Sequence, residues 1–453
     1  MLDRSKPPAE QKKFAFNVPI HKNFFLENGI EVNFVQKDKL PLIYAEIIIF
    51  NGAKLDPDNK HGLCNLTAKL IDEGAAEYNS LQLNDEFEKL GISFSVSSDH
   101  DITTLSVLSL KEHFERAVEL LFKIITAPRF AVEDFEREKK KVLSTILQLK
   151  EEPSYIANSV FNRCLFGNSL YAMPEIGFEY SVIEITNSDI INFYEKNFSP
   201  AKAKIIIVGN ITEKESENIF NKYFAKWNIL SQETPEFIIP HRQKSCIYFV
   251  HKKDSTQSEI RIGHISKKGN SADYIPSKIM NSILGGQFSS RINLNLREKK
   301  GFTYGAGSSF HYYKEAGVFE VSTAVKSENT GEAVADIIAD LNGIRKNISK
   351  EEIEFAKSFL IKKHPSRFET YIQVAKNIET LILLSLPSDE LVNYPGKVEN
   401  TTDEDVQLAA VNNILPDESC IVVVGDKEKI YDQLKLVNGK EPVELNIYGE
   451  RLK

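Results

Sequence analysis

The sequence predicts an α+β fold built from two tandem copies of one unit, each with helices packed on a face of a mostly antiparallel sheet. Three observations predict it. Apolar runs typical of buried strands, LIYAEIIIF at 42–50 and KIIIV at 204–208, are separated by long amphipathic helical stretches. Short blocks recur in the same order at nearly constant spacing. A chain of 453 residues is also too long for one ordinary core.

Taken in order, residues 20–36 read as two strands about a turn at Asn28-Gly29, and 42–50 as a buried strand. Asn51-Gly52 and Asp56-Pro57 break the chain before a helix over about 61–73. A second helix is expected at 81–90, strands at 92–96 and 103–108, and long helices at 113–126 and 132–149. Further helix leads to the strand 204–208, which stops at Gly209-Asn210. The order then repeats. IIIVGN at 205–210 answers VVVGD at 422–426, Val208 to Val424 being an offset of 216; Ala117-Val118 answers Ala333-Val334 at the same offset. LGISF at 90–94 answers KGFTY at 300–304, an offset of 210. The predicted organisation is an N-terminal arm over 1–19, mobile and polar, one domain over 20–230, a linker at 231–243 (SQETPEFIIPHRQ), and a second domain over 244–453.

Composition narrows the functional classes. The chain is 42% hydrophobic and 26% charged with a net charge of −8, and no large basic block offers a nucleic-acid surface. No run approaches the ~20 apolar residues of a membrane span. The opening MLDRSKPPAEQKKF lacks the apolar core of a secretion signal, so a cytoplasmic protein is expected. Cys64, Cys164, Cys246 and Cys420 lie far apart without a C-x-x-C, which argues against a disulfide scaffold or a zinc ribbon.

The candidate site is LGGQFSSRINLNLREKKGFTY at 284–304. Ile292, Leu294 and Leu296 are crowded for a helix, the segment breaks at Lys299-Lys300-Gly301, and a strand is expected to restart at Phe302. Arg297 thus falls at a helix end and Tyr304 on a strand, where a guanidinium fork and a phenol can converge on one carbonyl or oxyanion. By themselves an Arg near a helix end and a Tyr on a strand read as a surface charge and a half-buried aromatic. At offset 210 the first half holds Phe87 and Phe94 instead, so the pair belongs to the second half alone. Elsewhere, GAGSS at 305–309 imitates a phosphate loop but lacks its Lys and helix start, and reads as strand and turn. EREKKK at 136–141 and Asp99-His100-Asp101 read as a solvated helix face and a solvated turn.

The pattern LGG–SSR…LRE–KG–Y resembles the C-terminal half of the pitrilysin-type (inverzincin) metallopeptidases, a group that includes insulin-degrading enzymes and the mitochondrial processing peptidase. The resemblance spans about residues 23–426. It implies two homologous domains, each a sheet of about six strands flanked by helices, hinged like half a clamshell. It also implies that Arg297 and Tyr304, seven apart, form a substrate-contacting pair. In that family the first half carries H-x-x-E-H on a helix and a distant Glu, because histidines four apart share a Zn²⁺ and the Glu deprotonates its water. Counted from Gly62, the motif positions here are Asn65, Ala68 and Lys69, and the distant Glu falls on Thr145 or Ser144. None is a suitable ligand or base. Leu63, Leu66 and Leu70 form one face of that helix and Asn65, Lys69 and Asp72 the other, the pattern of a plain amphipathic helix. His61 and Cys64 are out of register and read as structural. No two of the nine histidines are four apart, so no metal is expected in this chain.

What the resemblance implies is the zinc-less subunit of a heterodimeric peptidase. A homologous partner carries the zinc motif, Arg297 and Tyr304 complete the partner's site, and peptides or unfolded segments are the substrate. The alternative is a non-enzymatic peptide-binding or structural core subunit of the same fold. A self-sufficient metallopeptidase is disfavoured by the ligand chemistry.

Overall fold

The computed structural model describes residues 16–227, 240, 244–439 and 441–452. The first half opens with a hairpin, β1 (Lys22–Phe25) and β2 (Glu31–Gln36), followed by β3 (Leu42–Ile49) and α1 (Leu63–Leu70). A small hairpin, β4 (Gly74–Ala75) and β5 (Tyr78–Asn79), leads to α2 (Ser80–Lys89), β6 (Ser93–Ser98) and β7 (Thr103–Leu110). After α3 (Phe114–Thr126), α4 (Val132–Leu149), α5 (Pro153–Phe166), α6 (Glu179–Ile183) and α7 (Asn187–Asn197) come β8 (Ala203–Gly209) and α8 (Glu213–Phe224).

The second half runs β9 (Cys246–His251), β10 (Gln257–Ser266), α9 (Tyr274–Leu284), α10 (Arg291–Asn293), β11 (Ala306–Tyr312) and β12 (Gly317–Lys326). It continues through α11 (Thr330–Lys346), α12 (Lys350–Lys363), α13 (Tyr371–Leu384), α14 (Glu390–Asn400) and α15 (Asp403–Asn413) to β13 (Cys420–Gly425), α16 (Lys427–Asn438) and β14 (Val443–Leu445). Thr186, Thr212, Ser349, Thr370 and Thr402 start α7, α8, α12, α13 and α15, each accepting a backbone N–H at the first turn in a reciprocal box with the side chain three residues on.

Each half forms a six-stranded, mostly antiparallel sheet flanked by helices, ordered β1-β2-β8-β3-β7-β6 and β14-β9-β13-β10-β12-β11. Five of the six strands correspond in order and direction. The edge strand does not: β1 is antiparallel to β2, whereas β14, from the C-terminal end, is parallel to β9. Strand register refines the repeat. Val208 faces Tyr44 and Val424 faces Glu259; Val107 pairs with Phe94, and its counterpart at offset 216, Thr323, pairs with Ala306. Phe94 therefore corresponds to Ala306, an offset of 212, and not to Tyr304. Gly91 and Gly301 both take left-handed φ, 61° and 65°, at an offset of 210. The loop from Gly301 into its strand is thus two residues longer than the one from Gly91.

Helices cover both faces of each sheet, where patterning alone favoured one. In β8, Ile205 and Ile207 join the core under the first half's own helices, while Ile206 and Val208 pack against Phe368, Val374 and Ile378. In β13, Ile421 and Val423 face the second half's helices, while Val422 and Val424 pack against Ile156, Val160 and Phe161. Each half thus lends a helix to the other: α13 lies on the first sheet and α5 on the second. Burial on both faces is why these strands read as unbroken apolar runs. Of the arm expected over 1–19, Phe16 and Val18 pack with the α13 cluster, the Phe16 ring 5.5 Å from Phe368, so that part is anchored. Residues 1–15, and the expected linker at 231–243 apart from Pro240, lie outside the described residues.

Polar groups tie the halves together as well. Asp99-His100-Asp101, expected as a solvated turn, is a joint. Asp101 is 2% exposed and accepts from Lys54 Nζ (2.7 Å), Tyr171 Oη (2.8 Å) and the Lys314 backbone N–H (2.8 Å). His100 is buried with Nδ1 2.8 Å from Glu175; burial opposes its protonation, but the Glu175 hydrogen bond and charge prevail and raise its pKa. On the first sheet, buried Glu46 accepts from Tyr44 Oη (3.1 Å) and Lys376 Nζ of α13 (2.9 Å). Three cysteines remote in sequence meet at α5: Cys246 and Cys420 are opposite on neighbouring strands, and Cys164 of α5 packs against the cluster that holds Cys420. The EREKKK face is likewise not merely solvated. Glu138 is buried, Arg137 reaches Glu73 and Asp134 at 2.5 Å, and Lys139 donates to the Ile183 and Ile185 carbonyls.

Candidate functional site

Helix α1 is positioned by Asp56, whose carboxylate accepts from the Gly62 (2.7 Å) and Cys64 (2.8 Å) backbone N–H groups at the helix start. Burial pushes the Asp56 pKa up to about 7 despite those bonds. Gly62 has φ 99°, and a Cβ there would stand 2.6 Å from the Ile176 carbonyl oxygen, so this glycine is required by the turn itself. The Cys64 thiol contacts the Asn51 carbonyl at 3.2 Å, and burial raises its pKa well above the ordinary value. His61 is half-buried with its pKa lowered by desolvation.

On this helix Ala68 is buried, Lys69 is exposed, and Asn65 is half-buried with an unpartnered Oδ1. Thr145 lies on α4, which packs beside α1, and donates its hydroxyl to the Lys141 carbonyl (3.0 Å). An amide, a methyl, an ammonium and a hydroxyl do not make a zinc site, so the donor set does not fit the metal. Asp72, on the same face, has its pKa pushed up to about 6 by burial. Among the described residues no group of three or more His, Cys, Asp or Glu is placed to hold a metal ion.

In the second half, α9 ends at Gly285-Gly286. A Cβ on Gly285 would stand 2.3 Å from the Ser308 nitrogen, so the paired glycines let β11 cross the helix end. Asn281 clamps the crossing, donating to the Ser308 carbonyl (3.0 Å) and accepting its hydroxyl (2.7 Å). The crowded apolar spacing is accommodated by a π turn over Leu294–Lys299, with Lys300 N bonded to Asn295 O at 3.1 Å. Ile292 and Leu296 are buried and Arg297 points outward, its guanidinium 4.5 Å over the Phe288 ring and 3.7 Å from Glu298.

Tyr304 is not on a strand. The chain turns through Gly301, Thr303 accepts the Gly305 N–H (3.0 Å) and donates to the Gly305 carbonyl (2.9 Å), and β11 begins only at Ala306. The phenol is 94% exposed, next in the chain to that turn, and Phe288 is 62% exposed. Arg297 and Tyr304 share no hydrogen bond among the described residues. Of GAGSS, Gly305 belongs to the turn and the other four residues begin β11, the expected strand and turn. Sequence patterning missed the loop lengthened by two residues, which only the strand register reveals.

The chain is a two-sheet α+β fold whose second half exposes Tyr304 on the loop that follows the π turn carrying Arg297. Residues 35–171 match the family model described as Insulinase (Peptidase family M16), and residues 184–360 match that of the Peptidase M16 inactive domain. The chain belongs to the M16 peptidase family. It is 24% identical over 367 residues to a non-peptidase homolog from Helicobacter pylori, covering 79% of this chain and 83% of that protein. It is 21% identical over 342 residues to an uncharacterized zinc protease from Bacillus subtilis, covering 74% and 81%. Among solved structures, the peptidase M16 inactive domain from Pseudomonas fluorescens superposes with a TM-score of 0.85 at 23% identity, over 90% of this chain and 98% of that one. A chain of complex III2 from Candida albicans gives 0.77 at 15% identity, over 92% and 99%. No helix among the described residues is long and apolar enough to cross a membrane.

Proposed function

We propose that this chain, with domains over 20–230 and 244–453, is the zinc-less subunit of a cytoplasmic heterodimeric M16 peptidase acting on peptides or unfolded segments. The partner carries H-x-x-E-H and the zinc. Tyr304 donates its hydroxyl to the oxyanion formed in the partner's site, and Arg297 holds a substrate carbonyl. The observation that supports this is the exposure of Tyr304 on a loop two residues longer than its first-half counterpart, an aromatic presented outward. The loss of ligand chemistry at Asn65, Ala68, Lys69 and Thr145 supports the division of labour.

The test is turnover by the heterodimer with an H-x-x-E-H-bearing M16 chain. Tyr304→Phe removes one oxyanion donor and is expected to lower kcat by about 10²–10³ with subunit affinity unchanged. Arg297→Lys keeps charge but loses the fork and mainly raises KM. Asn65→Ala and Lys69→Ala leave turnover near wild type. Wild-type turnover in the Tyr304→Phe heterodimer would overturn the proposal and leave a peptide-binding or structural core subunit. That second reading is favoured by one observation: the Arg297 guanidinium stacks on the Phe288 ring of its own half.

A further inference from the structure

Helix α9, with β11 and α12, encloses a cleft of about 400 Å³ in the second half. This is the same corner of the fold that α1, β6 and α4 build in the first half, since α1 also packs on β6 and α4. Its chemistry is different. Lys278, Lys363 and Arg367 line it together with Ser282, His364, Phe310, Tyr312 and Tyr394. The Lys278 ammonium sits 4.2 Å over the Tyr274 ring and 5.5 Å over Tyr394, and the Arg367 guanidinium lies 5.7 Å from the Tyr394 centroid. None of the three cations has an ion pair among the described residues. The nearby carboxylate, Glu390, is already paired with Lys397.

Two buried polar atoms in the lining are unsatisfied, one an acceptor and one a hydroxyl, and of these only the hydroxyl can donate to an oxyanion. His364 is 2% exposed; its Nε2 is bonded to the Leu391 carbonyl (3.0 Å), which makes Nε2 the donor, and Nδ1 is left without a partner. The Ser282 hydroxyl is buried and likewise unpartnered. Burial, with the Arg367 and Lys278 charges, lowers the His364 pKa to about 4. Desolvation first, and Arg367 next, bring the Lys278 pKa down to about 7, against a raising contribution from Glu390. Buried polar groups such as the Ser282 hydroxyl are normally satisfied, and a half-buried cation without a counter-charge is costly to the extent that it is desolvated. Cation–π contacts offset only part of that cost, and they do nothing to relieve the repulsion between Lys278 and Arg367.

We propose that this cleft binds a small oxyanion, a carboxylate or phosphate carried on an apolar body, with the anion between Lys278 and Arg367 and the body against Phe310 and Tyr312. The Ser282 hydroxyl donates to the anion, and the volume is that of an ordinary small-ligand site. The assignment is independent of any role for Arg297 and Tyr304.

The test is binding to the full chain by calorimetry and thermal shift, using sodium benzoate and phenyl phosphate against sodium chloride at matched ionic strength. One or both organic anions are expected to bind and raise Tm where chloride does not, and the two arms separate carboxylate from phosphate. Lys278→Met and Arg367→Met, which keep most of the side-chain volume, each weaken binding at least tenfold. Without any anion Lys278→Met melts above wild type, because it removes an uncompensated charge. Equal Tm in all three salts, or wild-type affinity in both variants, would overturn the site. Should Lys278→Met fail to fold, Arg367→Met decides the matter on its own.

Discussion

Asp101 Oδ2 accepts the backbone N–H of Lys314 over 2.8 Å, joining the β6–β7 turn of one half to the β11–β12 turn of the other. Its second oxygen takes Lys54 and Tyr171, so one buried carboxylate satisfies three donors from separate stretches of chain. Asp101→Ala strips the counter-charge from Lys54, itself buried. The expected loss is about 3–5 kcal/mol, the usual cost of breaking a buried pair from one side. Urea denaturation measures it; a loss under about 1 kcal/mol would show that the joint does not hold the halves.

The exchanged helices make a remote mutation felt in the opposite half. Ile378 on α13 is buried against β3 and β8. Ile378→Ala is expected to cost about 2–5 kcal/mol and to speed amide exchange in Leu42–Ile49 and Ala203–Gly209 more than in the second sheet. Faster exchange confined to the second half would contradict the packing described.

Asp56 gives a pH dependence with a definite sign. Its folded pKa of about 7 lies above its ordinary 3.8, so between those values the folded chain holds a proton that the unfolded chain has released. Stability from this group is present below about pH 4 and is lost as pH rises to 7, with a slope of at most about 1.4 kcal/mol per unit. Asp56→Asn keeps one acceptor for the α1 start and flattens that slope. Parallel stability–pH curves for the two proteins between pH 4 and 7 would contradict it.

Tyr304 separates function from folding. At 94% exposure its removal is expected to leave stability within about 0.5 kcal/mol, so Tyr304→Ala should unfold at the wild-type urea midpoint. A large shift of that midpoint would mean that the phenol packs internally and is not presented outward.

Much of this was legible in the residues. The apolar runs at 42–50 and 204–208 are β3 and β8, the helix at 132–149 has the expected bounds, and the 216 offset links β8 to β13 and α3 to α11. What failed depended on distant partners. Asp99-His100-Asp101 looked solvated because its partners, Lys54, Tyr171, Glu175 and Lys314, are scattered through the chain. Tyr304 looked like strand because KGFTY imitates LGISF, and only the pairing of Ala306 with Thr323 shows the loop to be longer. The unpaired Lys278 belongs to no motif. Its environment is assembled from α9, β11 and the segments around Arg367 and Tyr394.

The lending of α5 and α13 bears on where such a chain can come from. A single unit of this length, holding its own sheet and its own copy of the lent helix, would leave one sheet face bare in water. The same unit side by side with a copy, each extending its helix across the other, would leave neither face bare. Joining the end of one copy to the start of the next yields the present order of elements except at the sheet edge, where β1 comes from the start of the first half and β14 from the end of the second. The interface between the halves therefore has the form of a helix-exchanged homodimer written as one polypeptide, and its two sides have since been free to diverge, one towards Asn65 and Lys69, the other towards Arg297 and Tyr304.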